Sequence, residues 1–207
     1  MSPELQNLLA GVIALLVGLT FHEFSHALVA DQLGDPGPRR MGRLTLNPIP
    51  HIDPLGALML IVARFGWAKP VMVNPAALRN GPRGMAMVAA AGPVANMVVA
   101  VAFAVLFRVL EMSGIGSGFV QNVVVLVVAI NVLLAIFNLL PIPPLDGFNA
   151  ALALLPPRQS WTLRRYSQYG ILVLLGLVLL TYVDSPIDPL GWIFTIASSV
   201  ARALTGI

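Results

Sequence analysis

Apolar residues fall in long runs, and four stretches, approximately 8–30, 84–110, 119–140 and 167–183, approach or exceed the roughly 20 residues that carry a helix across a bilayer. Residues 189–206 pattern differently. Leu190, Ile193, Ala197, Val200 and Leu204 recur at three- and four-residue spacing, while Ser198, Ser199, Arg202 and Thr205 fall mostly elsewhere. This predicts an amphipathic helix lying against a bundle or an interface, with a further span as the alternative. The stretch 55–67, LGALMLIVARFGW, offers about ten apolar residues before Arg64, too few to span comfortably. It reads as a re-entrant segment. On its flanks, RLTL (43–46) and PVMV (70–73) are short, β-prone and bounded by Gly, Asn and Pro. They are expected to pair as strands, with two extended loop segments as the alternative. The expected fold is an all-α polytopic membrane protein forming one domain over residues 1–207. It comprises a bundle of about four to six transmembrane helices, a short re-entrant segment and a small membrane-associated β-hairpin or strand pair.

Composition agrees with the pattern. Hydrophobic residues make up 57% of the chain and charged residues 10%, where soluble domains carry roughly 25% charged. No cysteine is present, which excludes disulfides and thiolate metal sites. The start, MSPELQNLL, has no basic segment before its apolar core, so the first helix is expected to stay in the mature protein. The formal charge of +3 matters less than its distribution. If 55–67 dips and returns, Arg39, Arg40, Arg43, Arg64, Lys69, Arg79, Arg83, Arg158, Arg164 and Arg165 share one face, with Arg108 opposite. The positive-inside rule then puts the N-terminus outside. An integral protein of a prokaryotic cell membrane is expected, with a lipid bilayer as partner and no nucleic acid.

Within the first apolar run stands FHEFSH, residues 21–26. An ionisable group near a bilayer centre costs about 2.5–3.5 kcal/mol on insertion scales, so this cluster calls for a function that offsets it. His22 and His26, four apart, share one helix face and can direct ring nitrogens at one ion. Glu23 flanks them in the H-E-x-x-H arrangement, where two histidines hold zinc and the glutamate acts on water. A polar cluster knitting helices together is the structural alternative. Hydrolytic zinc takes three protein ligands and an open position, and His51, Asp53 and Asp146 are candidates for the third. Asp146 lies in NLLPIPPLDG (138–147), where Pro141, Pro143 and Pro144 prevent regular helix and Gly147 permits a tight turn. With the N-terminus outside, His26 lies roughly 6 Å and His22 about 12 Å from the inner end of the first helix. Asp146 follows the third long run to the same end.

FHEFSH, AAAGPVANM (89–97) and NLLPIPPLDG together resemble the site-2 protease family of intramembrane zinc metalloproteases. GWAKPVMVNP (66–75) and LNPIPHIDPLG (46–56) resemble its small bacterial and archaeal branch. The resemblance implies His22, His26 and Asp146 as ligands of one zinc ion, Glu23 as general base, and Asn138 as a polar group near the substrate backbone. It implies an endopeptidase acting on transmembrane proteins or peptides. On this resemblance the chain is expected to be a small member, without the PDZ or CBS module and the helix before the metal-binding one that larger members have. Asn96 reads as helix packing, with substrate positioning as its alternative. Asn131 and Asn138, seven apart, are expected to look inward. His51 reads as ordering its loop, or as a residue beside the metal or substrate. Two other classes compete: an inactive relative that binds membrane segments, and a zinc-transit protein, whose expected inverted repeats are not evident.

Overall fold

The computed structural model describes residues 2–63, 66–114, 118–181, 183 and 188–207, with side chains of 61–63 excluded; Arg64 therefore lies outside it. Nine α-helices follow along the described chain: α1 (Pro3–Gln32), α2 (Gly37–Arg40), α3 (Pro54–Ala63), α4 (Gly81–Met112), α5 (Gly118–Asn138), α6 (Asp146–Leu154), α7 (Pro157–Tyr166), α8 (Gly170–Leu180) and α9 (Pro189–Thr205). α1, α4, α5 and the run Pro157–Leu180 are long and apolar enough to cross a membrane. The last begins at Pro157 rather than near 167, because α7 is a polar helix that hydropathy alone does not see.

Three helices form the centre. Along α1, Ala10, Ala14, Gly18, His22, His26 and Ala30 are buried, and along α4, Gly84, Val88, Gly92, Asn96, Ala100 and Ala104. Both rows run at i+4, the ridge that interlocks with its counterpart on a neighbouring helix. Small residues let the backbones approach, and in lipid such close packing supplies much of the cohesion between helices. A Cβ at Gly18 would lie 2.7 Å from Leu134 Cδ1 on α5. The helix directions follow from side-chain contacts. Asn122 Nδ2 on α5 donates to Asn7 Oδ1 on α1 at 2.8 Å, and Val127 packs with Ala14, so α1 and α5 run parallel. His26 meets Val88 and His22 meets Asn96, so α4 runs antiparallel to α1.

α9 lies against this bundle, as its amphipathic spacing leads one to expect. Ala197 and Ala201 pack with Ala100, Ala104, Val128 and Val132, and Arg108 Nε donates to Leu204 O at 3.2 Å. Asp188 caps its start through Gly191 N, and Gly206 closes it at φ 84°, a left-handed conformation that glycine adopts without a Cβ clash.

The described residues on either side of the stretch 55–67 come together. Ile52 bridges Ala68 in antiparallel fashion, so the base of α3 and the end of the excursion are adjacent. Asp53 starts α3 by accepting from Gly56 N at 2.8 Å. The expected strand pair, however, is absent among the described residues, where this bridge is isolated. Two of the backbone groups it would have joined, Thr45 O and Val71 N, are bonded to side chains, and so are groups around them. Arg43 donates to the carbonyls of both Pro50 and Lys69. His51 Nε2 donates to Thr45 O at 2.9 Å, Val71 N to Glu23 Oε2 at 3.1 Å, and Asn74 N to Asp35 Oδ2 at 2.7 Å. Pro48, Pro50 and Pro70 have no N–H to offer a ladder.

Candidate metal centre

The polar cluster of α1 sits where the α4 row passes it. His22 and His26 are edge-to-face, with ring centroids 4.6 Å apart. Their Nε2 atoms are 3.1 Å apart, and Asp146 Oδ2 lies 3.0 Å from the first and 3.1 Å from the second. Among the described residues, His22, His26 and Asp146 are the group of metal-binding type whose ligand atoms converge. α5 ends at Asn138, the proline-rich stretch breaks the helix, and α6 restarts with Asp146 in its first turn, aimed back at α1. Gly147 makes this possible, because a Cβ there would lie 2.2 Å from Leu139 O.

The hydrogen bonds show which ring nitrogens are left free to bind a metal. His26 Nδ1 is 2.7 Å from Val88 O, and a carbonyl only accepts, so Nδ1 carries the proton. His22 Nδ1 lies 2.6 Å from Asn96 Oδ1. Asn96 presents oxygen there because its Nδ2 donates to Gly18 O at 3.0 Å and to Asn131 Oδ1 at 2.8 Å. Both Nε2 atoms therefore face Asp146 as lone pairs. Three acceptor atoms at 3.0–3.1 Å from one another suit a cation placed among them. Around tetrahedral zinc with bonds of 2.0–2.1 Å, ligand atoms are about 3.3 Å apart, so the triangle fits the ion after a small expansion. Without a metal, a proton on either Nε2 makes an imidazolium. Burial pushes the Asp146 carboxyl up, but its hydrogen bonds and charge attraction with His22 and His26 outweigh this and hold it at about 2.

Glu23 is buried beside the pair, with Val71 N–H holding its carboxylate. Arg43, itself 4% exposed, ties Pro50 and Lys69 together and so fixes the segment that carries Val71. His51 orders its loop: its backbone accepts from Lys69 N at 2.9 Å, and its Nδ1 is buried without a partner. His51 and Asp53 are outside the convergent group. Asn131 is fully buried and Asn138 partly so, and Asn138 Nδ2 donates back to Leu134 O at 3.0 Å.

Two features were missed from the sequence. Gly92 is more than a packing residue, since a Cβ on it would lie 2.5 Å from His22 Cε1 and from His26 Nε2. Its signal is the spacing Val88, Gly92, Asn96, one turn apart opposite the two histidines. Arg43 carried no such signal, because its partners are carbonyls.

The model of "Peptidase family M50" matches residues 109–182, a stretch that includes Asp146 and follows the histidines. The chain is similar to "Putative zinc metalloprotease YwhC" of Bacillus subtilis, 39% identical over 171 residues that cover 80% of this chain and 78% of the relative. It is similar to "Putative zinc metalloprotease Rip2" of Mycolicibacterium smegmatis, 35% identical over 79% of this chain and 64% of the relative. The protein of that name from Mycobacterium tuberculosis H37Rv is 32% identical over 86% and 68%. No solved structure gives a significant match. With four helices able to span a bilayer, the chain is an integral membrane protein. It belongs to peptidase family M50, the site-2 protease family, and is a zinc metalloendopeptidase.

Proposed function

We propose that this chain is an intramembrane endopeptidase, cutting peptide bonds in or near transmembrane segments of other membrane proteins, with its catalytic machinery in one domain. The observation that carries the reading is the convergence of His22, His26 and Asp146 beside Glu23, with the histidines and Glu23 on a helix long and apolar enough to cross a bilayer. In this reading the three residues hold zinc through two Nε2 atoms and Asp146 Oδ2. Zinc there supplies Lewis-acid polarisation of the scissile carbonyl and acidification of water. Glu23 takes the proton as water attacks the carbonyl carbon and returns it to the leaving amine. Val71 N–H keeps the carboxylate in place for both transfers.

A transmembrane substrate hides its peptide bonds in helical hydrogen bonds, so it must unwind locally, and helix-breaking residues near the cut favour cleavage. Asn138, which closes α5 before the broken segment, is the polar group proposed beside the substrate backbone. The clustering of basic residues supports a cytoplasmic active site, an external N-terminus and a prokaryotic cell membrane. The test is Glu23→Gln in purified, zinc-loaded protein with a model transmembrane peptide. Cleavage is expected to fall about 10²–10⁴-fold with zinc retained; unchanged cleavage would remove Glu23 as the base.

A further inference from the structure

A buried chain of amides runs from α5 through α4 to the metal centre, and each link is fixed by the one before it. Val127 O can only accept, so Asn131 turns Nδ2 toward it, at 2.8 Å. Asn131 Oδ1 then faces Asn96 and takes its Nδ2 at 2.8 Å. Asn96 Nδ2 also donates to Gly18 O at 3.0 Å, a second constraint that comes from α1. Asn96 Oδ1 is left facing His22 Nδ1 at 2.6 Å, which leaves His22 Nε2 as a lone pair. Asn96 and Asn131 are both 0% exposed.

We propose that Asn96, oriented by Asn131, is the positioning residue that sets the tautomer and ring angle of His22. The inference rests on the proposed zinc ligation by His22. It assigns Asn96 to the metal centre rather than to substrate or to helix cohesion. An acceptor on the non-ligating nitrogen orients a metal-bound imidazole and raises its basicity, and losing one typically costs 10–100-fold in metal affinity. α4 serves the other histidine in the same way with Val88 O, two turns earlier, while Gly92 between them leaves room for both rings. Thus one face of α4 templates both rings. Plain helix cohesion demands no such direction: amide bonds between helices stabilise modestly whichever way they point.

The experiment compares two substitutions whose ranking reverses between the roles. Asn96→Leu keeps the volume and removes the acceptor; Asn96→Asp keeps an acceptor and buries a charge. Zinc affinity is measured by chelator competition on the full chain in detergent, with thermal melting as the folding control. The positioning role predicts a 10–100-fold loss for Asn96→Leu and at most about threefold for Asn96→Asp. A packing role predicts the opposite order, since leucine suits the bundle and a buried carboxylate does not, and that order would overturn the proposal. Nitrogen-15 spectra of zinc-loaded wild-type protein give a readout independent of whether variants fold. His22 is expected to carry a slowly exchanging proton on Nδ1; a proton on Nε2 would overturn the proposal. Wild-type protein that binds no zinc would instead sink the ligand assignment beneath it, while spectra of zinc-bound protein that place His22 off the metal would sink only that assignment.

Discussion

On α1 and α4 the backbone is satisfied within each helix, so the polar side chains are free to build the site, and each reaches its partner from a fixed position on a regular face. Between Arg43 and Asn74 the roles are exchanged. There the side chains of Arg43, His51, Asp35 and Glu23 are consumed in satisfying backbone groups that no helix or ladder takes up. Both regions meet at Glu23, which the helix positions and the irregular segment holds. In the proposed reading the helical side sets where a metal would sit, and the irregular side sets how the base is held. The two functions should therefore separate under mutation.

The largest effect is expected at Gly92. In Gly92→Ala the added methyl overlaps both imidazoles, so zinc binding should weaken about 100-fold or more, read by metal analysis and chelator competition. Retained stoichiometric zinc at wild-type affinity would mean that α4 does not crowd the rings. Arg43→Met addresses the other side. It strands two carbonyls, each costing about 1–3 kcal/mol, and frees the segment that carries Val71. Peptide cleavage should fall about tenfold while zinc affinity stays within twofold. A parallel fall in zinc affinity would show that the regions are not separable. The smallest effect is expected from Asp53→Ala, which removes the cap of α3. It should lower local stability by about 0.5–2 kcal/mol, visible as faster hydrogen exchange in α3, with cleavage and zinc nearly unchanged.

The same division explains what the sequence made legible. The convergence of His22 and His26 was legible because helical periodicity alone puts them on one face, and Pro141, Pro143 and Pro144 announced the break before Asp146. The helices themselves followed from apolar length, and the amphipathic spacing of 189–206 foretold α9 against the bundle. α7 escaped because a polar helix carries no hydropathy signal. RLTL and PVMV misled for a physical reason: β-propensity records how well side chains fit a pleated, half-buried surface, and whether two such segments pair depends on what else can satisfy their backbones. Here the side chains of His51 and Glu23 take up Thr45 O and Val71 N. Asn96 reads as packing in the sequence because a single amide in a small-residue helix looks alike in either role; the direction of its three bonds, on which the proposed positioning role rests, appears only in the structure.

Zinc analysis of wild-type and Asp146→Ala protein, coupled to cleavage of a model transmembrane peptide, decides whether one ion is held jointly by α1 and the turn into α6. Wild-type protein should carry one zinc per chain and cut, while Asp146→Ala loses both zinc and cleavage. Stoichiometric zinc retained in Asp146→Ala at unchanged affinity would contradict this and return the third ligand to another residue, His51 first.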